Sequence, residues 1–145
     1  MNKFQLLVAF LKVCNQNLNM LHRDIVSKNF FEDHEKLQEY YEKFQGWADE
    51  LAEIGRTLGY EEPSMSESIN IYSKQLPILK SEKRDAKTTF TIVREYFLDL
   101  IRILESTKPE VKDFVANRLE EIQYYANLEA NYKLNHLLAG FKIGE

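Results

Sequence analysis

Four residues whose side chains can bind transition metals lie at suggestive intervals in the first third of the chain. His22 and His34 are twelve positions apart, and Asp49 and Glu53 follow one helical turn apart. The chain has only three histidines, and two of them belong to this set. Imidazole nitrogen combined with carboxylate oxygen suits Fe(II), Zn(II) or Mn(II). The sequence therefore indicates a site for a divalent transition metal.

The spacing of these residues decides how such a site could be assembled. Residues 30 to 58 are predicted to form one uninterrupted helix, on which His34 and Asp49 are 15 positions apart. That separation is about 22 Å of helical rise, which one ion cannot bridge. We therefore expect the two histidines of one chain to meet the two carboxylates of a second copy across a two-fold, isologous interface. Metal binding and self-association would then depend on each other.

Length and composition favour a single helical domain covering residues 1–145. A chain of 145 residues can bury a sizeable core without disulfides or metals. Charged residues make up 29% and apolar residues 44%, with five Gly and three Pro. This balance favours long helices over a turn-rich β fold. The net charge of −4 gives no reason to expect strong attraction to nucleic acid.

Cysteine and hydropathy patterns predict a cytoplasmic protein. Cys14 is the only cysteine, so an intrachain disulfide is impossible and a reducing compartment fits best. Lys12 interrupts the short apolar run of residues 6–11, which argues against a secretory signal. No apolar stretch approaches the roughly 20 residues that are needed to cross a bilayer.

Apolar residues that recur every three or four positions predict two long helices before residue 60. The first covers about residues 3 to 26. Asn29 is predicted to cap the second, with Glu32 completing a capping box, and Gly59 supplies its C-terminal stop.

The long connection over residues 60–81 is expected to cross between the second and third long helices. Ser64 and Glu67 could cap a short helix that reaches about Tyr72. Two further long helices follow, and no strand pattern competes with them. One long crossover between four helices is typical of the ferritin-like four-helix bundle, an all-α fold.

The third long helix is predicted to run from about residue 86 to residue 106. Thr107 and Glu110 have the spacing of a second capping box. The fourth helix would then run to about Leu138, before Gly140. No internal repeat or linker suggests a second domain.

The first 60 residues resemble the Dps mini-ferritins, the DNA-protection proteins of starved cells. That family has a histidine late in its first helix, a second one twelve residues later, and Asp-x-x-Ala-Glu in its second helix. The matching residues here are Leu21, His22, Asn29, Phe30, Phe31, His34, Tyr41, Asp49, Glu50, Leu51, Ala52, Glu53, Leu58 and Gly59.

The resemblance implies a function as well as a fold. By resemblance, His22 and His34 are ligands from one subunit, and Asp49 and Glu53 are ligands from its two-fold mate. It implies a hollow shell of twelve subunits that acts as a ferroxidase. Such a shell oxidises Fe(II), preferentially with hydrogen peroxide, and stores the ferric product. Zn²⁺ or Mn²⁺ could substitute for iron in such a ligand set.

Departures from the family pattern leave an alternative open. Arg23 stands where the family usually has Trp, and its charge would oppose cation binding. Gln38 replaces an acidic residue that often follows the second histidine by four positions. These differences are compatible with a ferritin-fold metal-binding or scaffolding shell that lacks efficient ferroxidase activity. The chain begins its first helix without a Lys-rich tail, so DNA binding is not expected.

Other site types fit the sequence less well. The Glu-x-x-His motif of the larger ferritins, which places two irons inside one bundle, is absent. Glycine-rich phosphate loops, Ser/His/Asp hydrolase patterns and paired cysteines are absent too. A small helical interaction protein with coincidental ligand spacing remains the third interpretation.

Overall fold

The first part of the chain folds around two long helices that lie next to each other in sequence. The structure is a computed structural model that describes residues 1–142. Helix α1 is Lys3–Asp24 and helix α2 is Phe30–Thr57. Asn2 begins α1 with a capping box: its side-chain oxygen accepts from the Gln5 amide, and the Gln5 side-chain oxygen accepts from the Asn2 amide.

Helices α1 and α2 pack against each other through their apolar faces. Complete burial of one such side chain contributes about 1.5–3 kcal/mol of transfer free energy. This pairing is the most extensive helix–helix contact in the first unit, which spans Met1–Asp85. Its fully buried side chains include Leu7, Leu11, Leu18, Leu21, Leu37, Tyr40, Phe44 and Leu51.

The C-terminus of α2 confirms the predicted stop at Gly59. This glycine has φ +80°, a conformation that residues with a Cβ rarely adopt. The Gly59 amide donates to the Arg56 carbonyl at 3.1 Å, and the Tyr60 amide donates to the Gly55 carbonyl at 2.8 Å. These two bonds form a Schellman motif, which satisfies carbonyls that the helix end would leave open.

Helix α1 ends two residues earlier than its apolar pattern predicts. Residues Ile25–Val26 form a short strand, β1, that pairs in parallel with Arg84–Asp85, strand β2. No strand was predicted here, because two residues are too few to show an alternating pattern. The corner between α1 and α2 is therefore joined to the end of the long connection.

The predicted Asn29 capping box is wrong. Asn29 precedes α2, but its side chain makes no capping hydrogen bond. Its backbone carbonyl instead accepts from the Asp33 amide at 2.9 Å, and the Asp33 carboxylate accepts from the Ser27 hydroxyl at 2.7 Å.

The short helix in the connection is confirmed. Helix α3, Met65–Ile71, begins with the predicted box between Ser64 and Glu67. The Tyr72 hydroxyl, which follows the helix, donates to the Leu6 carbonyl at 2.9 Å. Burial raises the pKa of Tyr72 to about 12, so the phenol keeps this proton. The connection is thereby attached to α1.

A second unit begins at Ala86 and is also helical. None of the helices in residues 1–142 is both long and apolar enough to cross a membrane. The elements of this unit are α4 (Ala86–Thr107), a 3₁₀ turn (Lys108–Glu110), α5 (Asp113–Leu128), a π-helical turn (Glu129–Lys133) and α6 (Leu134–Lys142).

The capping box predicted at Thr107 and Glu110 is also wrong. Thr107 is buried at the end of α4, and its hydroxyl donates to the Ile103 carbonyl at 2.7 Å. The hydroxyl is therefore not available to cap the helix that follows. The chain makes a 3₁₀ turn, and α5 begins only at Asp113.

The last helical segment contains an irregularity that the sequence did not reveal. A π turn at Glu129–Lys133 separates α5 from α6. Such a turn inserts one extra residue into a helix and shifts its apolar stripe. The Arg94 guanidinium donates to the Ala130 carbonyl at 2.9 Å within this turn. Gly140 lies inside α6, so the predicted stop before Gly140 is wrong.

Candidate metal centre

The corner between α1 and α2 brings His22 and His34 together. His22 lies in the last turn of α1, and His34 lies near the start of α2. Their ring centroids are 4.7 Å apart, with an angle of 31° between the ring planes. The twelve-residue interval thus places two imidazoles side by side.

Backbone hydrogen bonds fix which nitrogen of each ring carries a proton. His34 Nδ1 lies 2.7 Å from the His22 carbonyl oxygen, and His22 Nδ1 lies 2.6 Å from the Asn19 carbonyl oxygen. A carbonyl oxygen only accepts, so both Nδ1 atoms must donate. In the neutral rings, both Nε2 atoms then keep a lone pair, as metal-binding histidines require.

The surroundings of His22 favour its neutral form. The side chain is 8% exposed, and the ring of Tyr41 lies 4.8 Å away between centroids. Burial is the main cause that lowers the pKa of His22, and the nearby His34 and Arg23 act in the same direction. The hydrogen bond to the Asn19 carbonyl opposes this shift only in part. A neutral imidazole is the form that binds a metal.

The lowered pKa of His22 predicts a loss of stability in acid that His22→Gln should reduce. The unfolded chain takes up a proton near pH 6.5, whereas the folded chain resists protonation to lower pH. The unfolded state therefore gains stability as the pH falls below about 6.5, and this gain stops below the folded pKa. Urea unfolding of the metal-free protein at pH 7.5 and 5.5 measures the effect.

His136→Gln is the matched control for this pH effect, because His136 is an exposed histidine in α6. The free energy of unfolding should fall less between pH 7.5 and 5.5 in His22→Gln than in wild type or His136→Gln. An equal fall in all three proteins would contradict the assignment.

Asp49 and Glu53 lie elsewhere on α2, one turn apart and exposed to solvent. Asp49 is 15 residues beyond His34 on the same helix, which corresponds to about 22 Å. Across residues 1–142, no group of three or more His, Cys, Asp or Glu side chains could hold one ion. One chain thus presents a nitrogen pair and a separate carboxylate pair. That a second copy joins them stays a prediction.

A surface groove lies beside Asp49, one member of the carboxylate pair. It has a volume of about 300 Å³ and is lined in part by Lys12, Asp49, Glu62 and Met65. The Lys12 ammonium contacts the Glu62 carboxylate and donates to the Pro63 carbonyl at 2.6 Å. Sequence reasoning did not connect Glu62 with Asp49, because the two belong to different elements and have no motif spacing.

Exposed apolar side chains lie at the corner that carries the histidine pair. Phe30 stacks on His34 with ring centroids 5.2 Å apart, and Phe31 is 86% exposed. Val26 is exposed as well, and these three residues form what we call the corner patch. Exposed apolar patches beside a polar site are common features of association surfaces.

The two departures from the family pattern are also visible at the corner. Arg23 is exposed and donates weakly to the Asn19 side chain at 3.4 Å. Gln38, one turn after His34, donates to the Glu42 carboxylate at 3.0 Å. The site therefore has a cation beside one histidine and a neutral amide beside the other.

Comparison with known proteins identifies the fold. The chain is similar to the antigen TpF1 from Treponema pallidum, with a TM-score of 0.80 and 24% identity over 94% of this chain and 88% of that one. It is also similar to Mycobacterium smegmatis Dps, with a TM-score of 0.69 and 20% identity over 88% and 82%. No protein-family model and no curated protein matches the sequence. The chain therefore has the ferritin-like fold of Dps, as the resemblance predicted, with a short helix between long ones.

Proposed function

We propose that the chain is a Dps-like mini-ferritin that binds and oxidises Fe(II) at sites shared between two copies. It stores the ferric product in a hollow shell and so protects against peroxide. The observation that carries this proposal is the pair His22 and His34, whose Nδ1 atoms both donate to backbone carbonyls. The two rings, whose centroids are 4.7 Å apart, therefore each keep a free Nε2 lone pair.

The chemistry of this donor set suits Fe(II) as a substrate. Two neutral imidazoles leave the coordination of an Fe(II) ion incomplete, and Asp49 and Glu53 of a second copy supply the carboxylate oxygens that complete it. Such a mixed set accepts Fe(II) readily, and also Zn²⁺ or Mn²⁺. A carboxylate can bridge two ions, so the site has the capacity for a dinuclear centre. Hydrogen peroxide accepts one electron from each of two Fe(II) ions and, with two protons, leaves as two water molecules.

The same proposal extends to assembly and location. Residues 1–145 form one ferritin-like domain, and copies associate through two-fold interfaces into a dodecamer. The corner patch supports this, because an exposed Phe31 beside a ligand pair is explained by burial against another copy. The lone Cys14 is buried, which supports a reducing cytoplasm. DNA is not among the proposed partners.

A combined assembly and oxidation experiment tests the proposal. Native mass measurement should give a particle of twelve chains. Fe(II) followed by hydrogen peroxide should produce near-ultraviolet ferric absorbance and a particle that carries many irons. A monomer that leaves the background rate of Fe(II) oxidation unchanged would refute the function.

A second candidate is a ferritin-fold shell that binds metal without efficient oxidation. The position of Arg23 favours it, because this cation acts on His22 and would repel Fe(II) from the same place. In that case the particle would form and hold metal at the histidine pair, but no mineral would accumulate. The amount of iron per particle after peroxide addition separates the two candidates.

Arg23→Gln is expected to tighten metal binding. Arg23 is exposed, so solvent screens its charge, and an exposed charge pair contributes about 0.5–1 kcal/mol. Removing the repulsion should lower the dissociation constant for Zn²⁺ by roughly two- to five-fold at low salt. Isothermal titration with Zn²⁺ measures this change, and the gain should shrink as the salt concentration rises.

Lys74→Gln is the matched control, because Lys74 is an exposed cation in the connection after α3. It should leave zinc affinity unchanged. Equal effects of the two variants would assign the change to net charge rather than to the place of Arg23.

A further inference from the structure

Residues 81–84, just before α4, form hydrogen bonds with the corner that carries the histidine pair. We propose that Arg84 is a positioning residue for this centre: by holding Asp24 it ends α1 where the His22 carbonyl stays free to orient the His34 ring. This inference rests on the proposed function for its meaning, but the contacts that support it do not involve a metal.

Arg84 is a buried cation with several partners, which include the Glu82 carboxylate at 3.4 Å. It is 7% exposed, and its guanidinium donates to the Asp24 carboxylate at 3.1 Å, to the Lys80 carbonyl at 2.7 Å and to the Glu82 carbonyl at 3.3 Å. Burying a charge is costly unless such partners compensate it. The planar fork of Arg donates in several directions at once, which the single ammonium of Lys does not reproduce.

Asp24, the last residue of α1, receives three hydrogen bonds from the same segment. Besides Arg84, the Ser81 hydroxyl donates to it at 3.2 Å and the Glu82 amide donates at 3.0 Å. Its side chain is itself largely buried. The C-terminus of α1 is therefore fixed to residues 81–84 by a charged and hydrogen-bonded clasp. We call this cluster the Asp24–Arg84 clasp.

By ending α1, the clasp prevents the His22 carbonyl from accepting a hydrogen bond within the helix. In a helix that continued, this carbonyl would accept a hydrogen bond from the amide of Val26, four residues later. Ile25 instead has φ −65° and ψ 136°, and Val26 pairs with Asp85. The His22 carbonyl is thus left open, and His34 Nδ1 donates to it at 2.7 Å.

A series of contacts therefore links Arg84 to the His34 ring, whose Nε2 is the proposed metal-binding atom. The clasp ends α1, the end of α1 opens the His22 carbonyl, and that carbonyl fixes the tautomer and plane of His34. Groups that orient a ligand histidine in this way typically change metal affinity by about 10–100-fold when they are removed.

The attachment of the connection to α1 does not depend on the clasp alone. The Asn17 side chain is buried, accepts from the Leu79 amide at 3.0 Å and donates to the Pro77 carbonyl at 3.1 Å. Tyr72 adds its bond to Leu6. Loss of the clasp should therefore loosen the corner while the helices stay packed.

Three variants test the inference: Arg84→Gln removes the cation, Arg84→Lys keeps the charge but loses the fork, and Asp24→Asn removes the anion. In the metal-free protein, nitrogen-15 NMR of the histidine rings should show His34 changing from an Nδ1–H ring to a mixture of tautomers. Isothermal titration should show zinc binding weakened by about 10–100-fold, with the smallest loss in Arg84→Lys. Circular dichroism measures whether each variant retains its helices.

Arg102→Gln is the matched control, because Arg102 pairs with Asp99 on the exposed side of α4. It should change neither the tautomer nor the affinity. If every clasp variant keeps the wild-type tautomer of His34 and its zinc affinity within two-fold, the positioning role is refuted while the proposed function stands. If wild type binds no zinc but the tautomer still shifts on loss of Arg84, the positioning role stands and the proposed function fails.

Discussion

A one-to-one mixture of two inactive variants is expected to oxidise Fe(II) at about a quarter of the wild-type rate. The first carries His22→Ala and His34→Ala, and the second carries Asp49→Ala and Glu53→Ala. Each alone should be at least about 100-fold slower than wild type, because residues that bind the metal directly matter no less than the groups that orient them. In a two-fold dimer of the two variants, one site receives both intact halves and the other receives none. Mixed dimers make up half of the population and each has one intact site of two, so about a quarter of all sites are active.

The variants must be unfolded together and reassembled before peroxide is added, so that mixed dimers can form. A chain with all four substitutions, mixed with either variant, is the control and should restore nothing. A site contained within one chain would predict that the original mixture also stays inactive. Recovery of activity would therefore demonstrate the shared site, and its absence after verified co-assembly would exclude it.

The helices were largely predictable because their signals are local and repeated. An apolar residue every three or four positions defines α1, α2 and α4, and the capping box at Ser64 formed as its spacing suggested. In one of the two failed boxes the capping side chain has a competing partner. The Thr107 hydroxyl donates to a carbonyl one turn earlier in its own helix. The spacing of a capping box does not predict this competing hydrogen bond.

The candidate site was predictable only in part, for a similar reason. Residue type and interval placed His22 and His34 close together, because a short corner between two packed helices leaves few other outcomes. The tautomers of the two histidines depend on hydrogen bonds to backbone carbonyls. Every residue has such a carbonyl, so the tautomers could not be predicted from residue types. Arg84 lies 62 positions after His22, and its role depends on a contact that only the folded chain reveals. The prediction of a shared site came from the length of α2 alone.

Phe44→Ala is expected to lower the free energy of unfolding by about 3–5 kcal/mol, the largest stability change we predict. Phe44 is a fully buried residue of α2, and its ring centroid lies 5.3 Å from that of Trp47. Truncation removes the transfer free energy of the ring and leaves a cavity that rigid helices fill poorly. Urea unfolding followed by circular dichroism at one fixed protein concentration measures the loss.

Phe31→Ala is the matched comparison, because Phe31 belongs to the same helix but is almost fully exposed. In the dissociated chain its truncation should change the free energy of unfolding by less than about 0.5 kcal/mol. Its effect should appear instead in the native mass, as a shift toward smaller particles, since the corner patch is the surface proposed to meet a second copy. Equal destabilisation by both variants would mean that Phe31 packs within its own chain. The proposed shared site depends on both residues: Phe44 supports the helix that carries His34, and Phe31 lies where we propose that the carboxylates of a second copy approach.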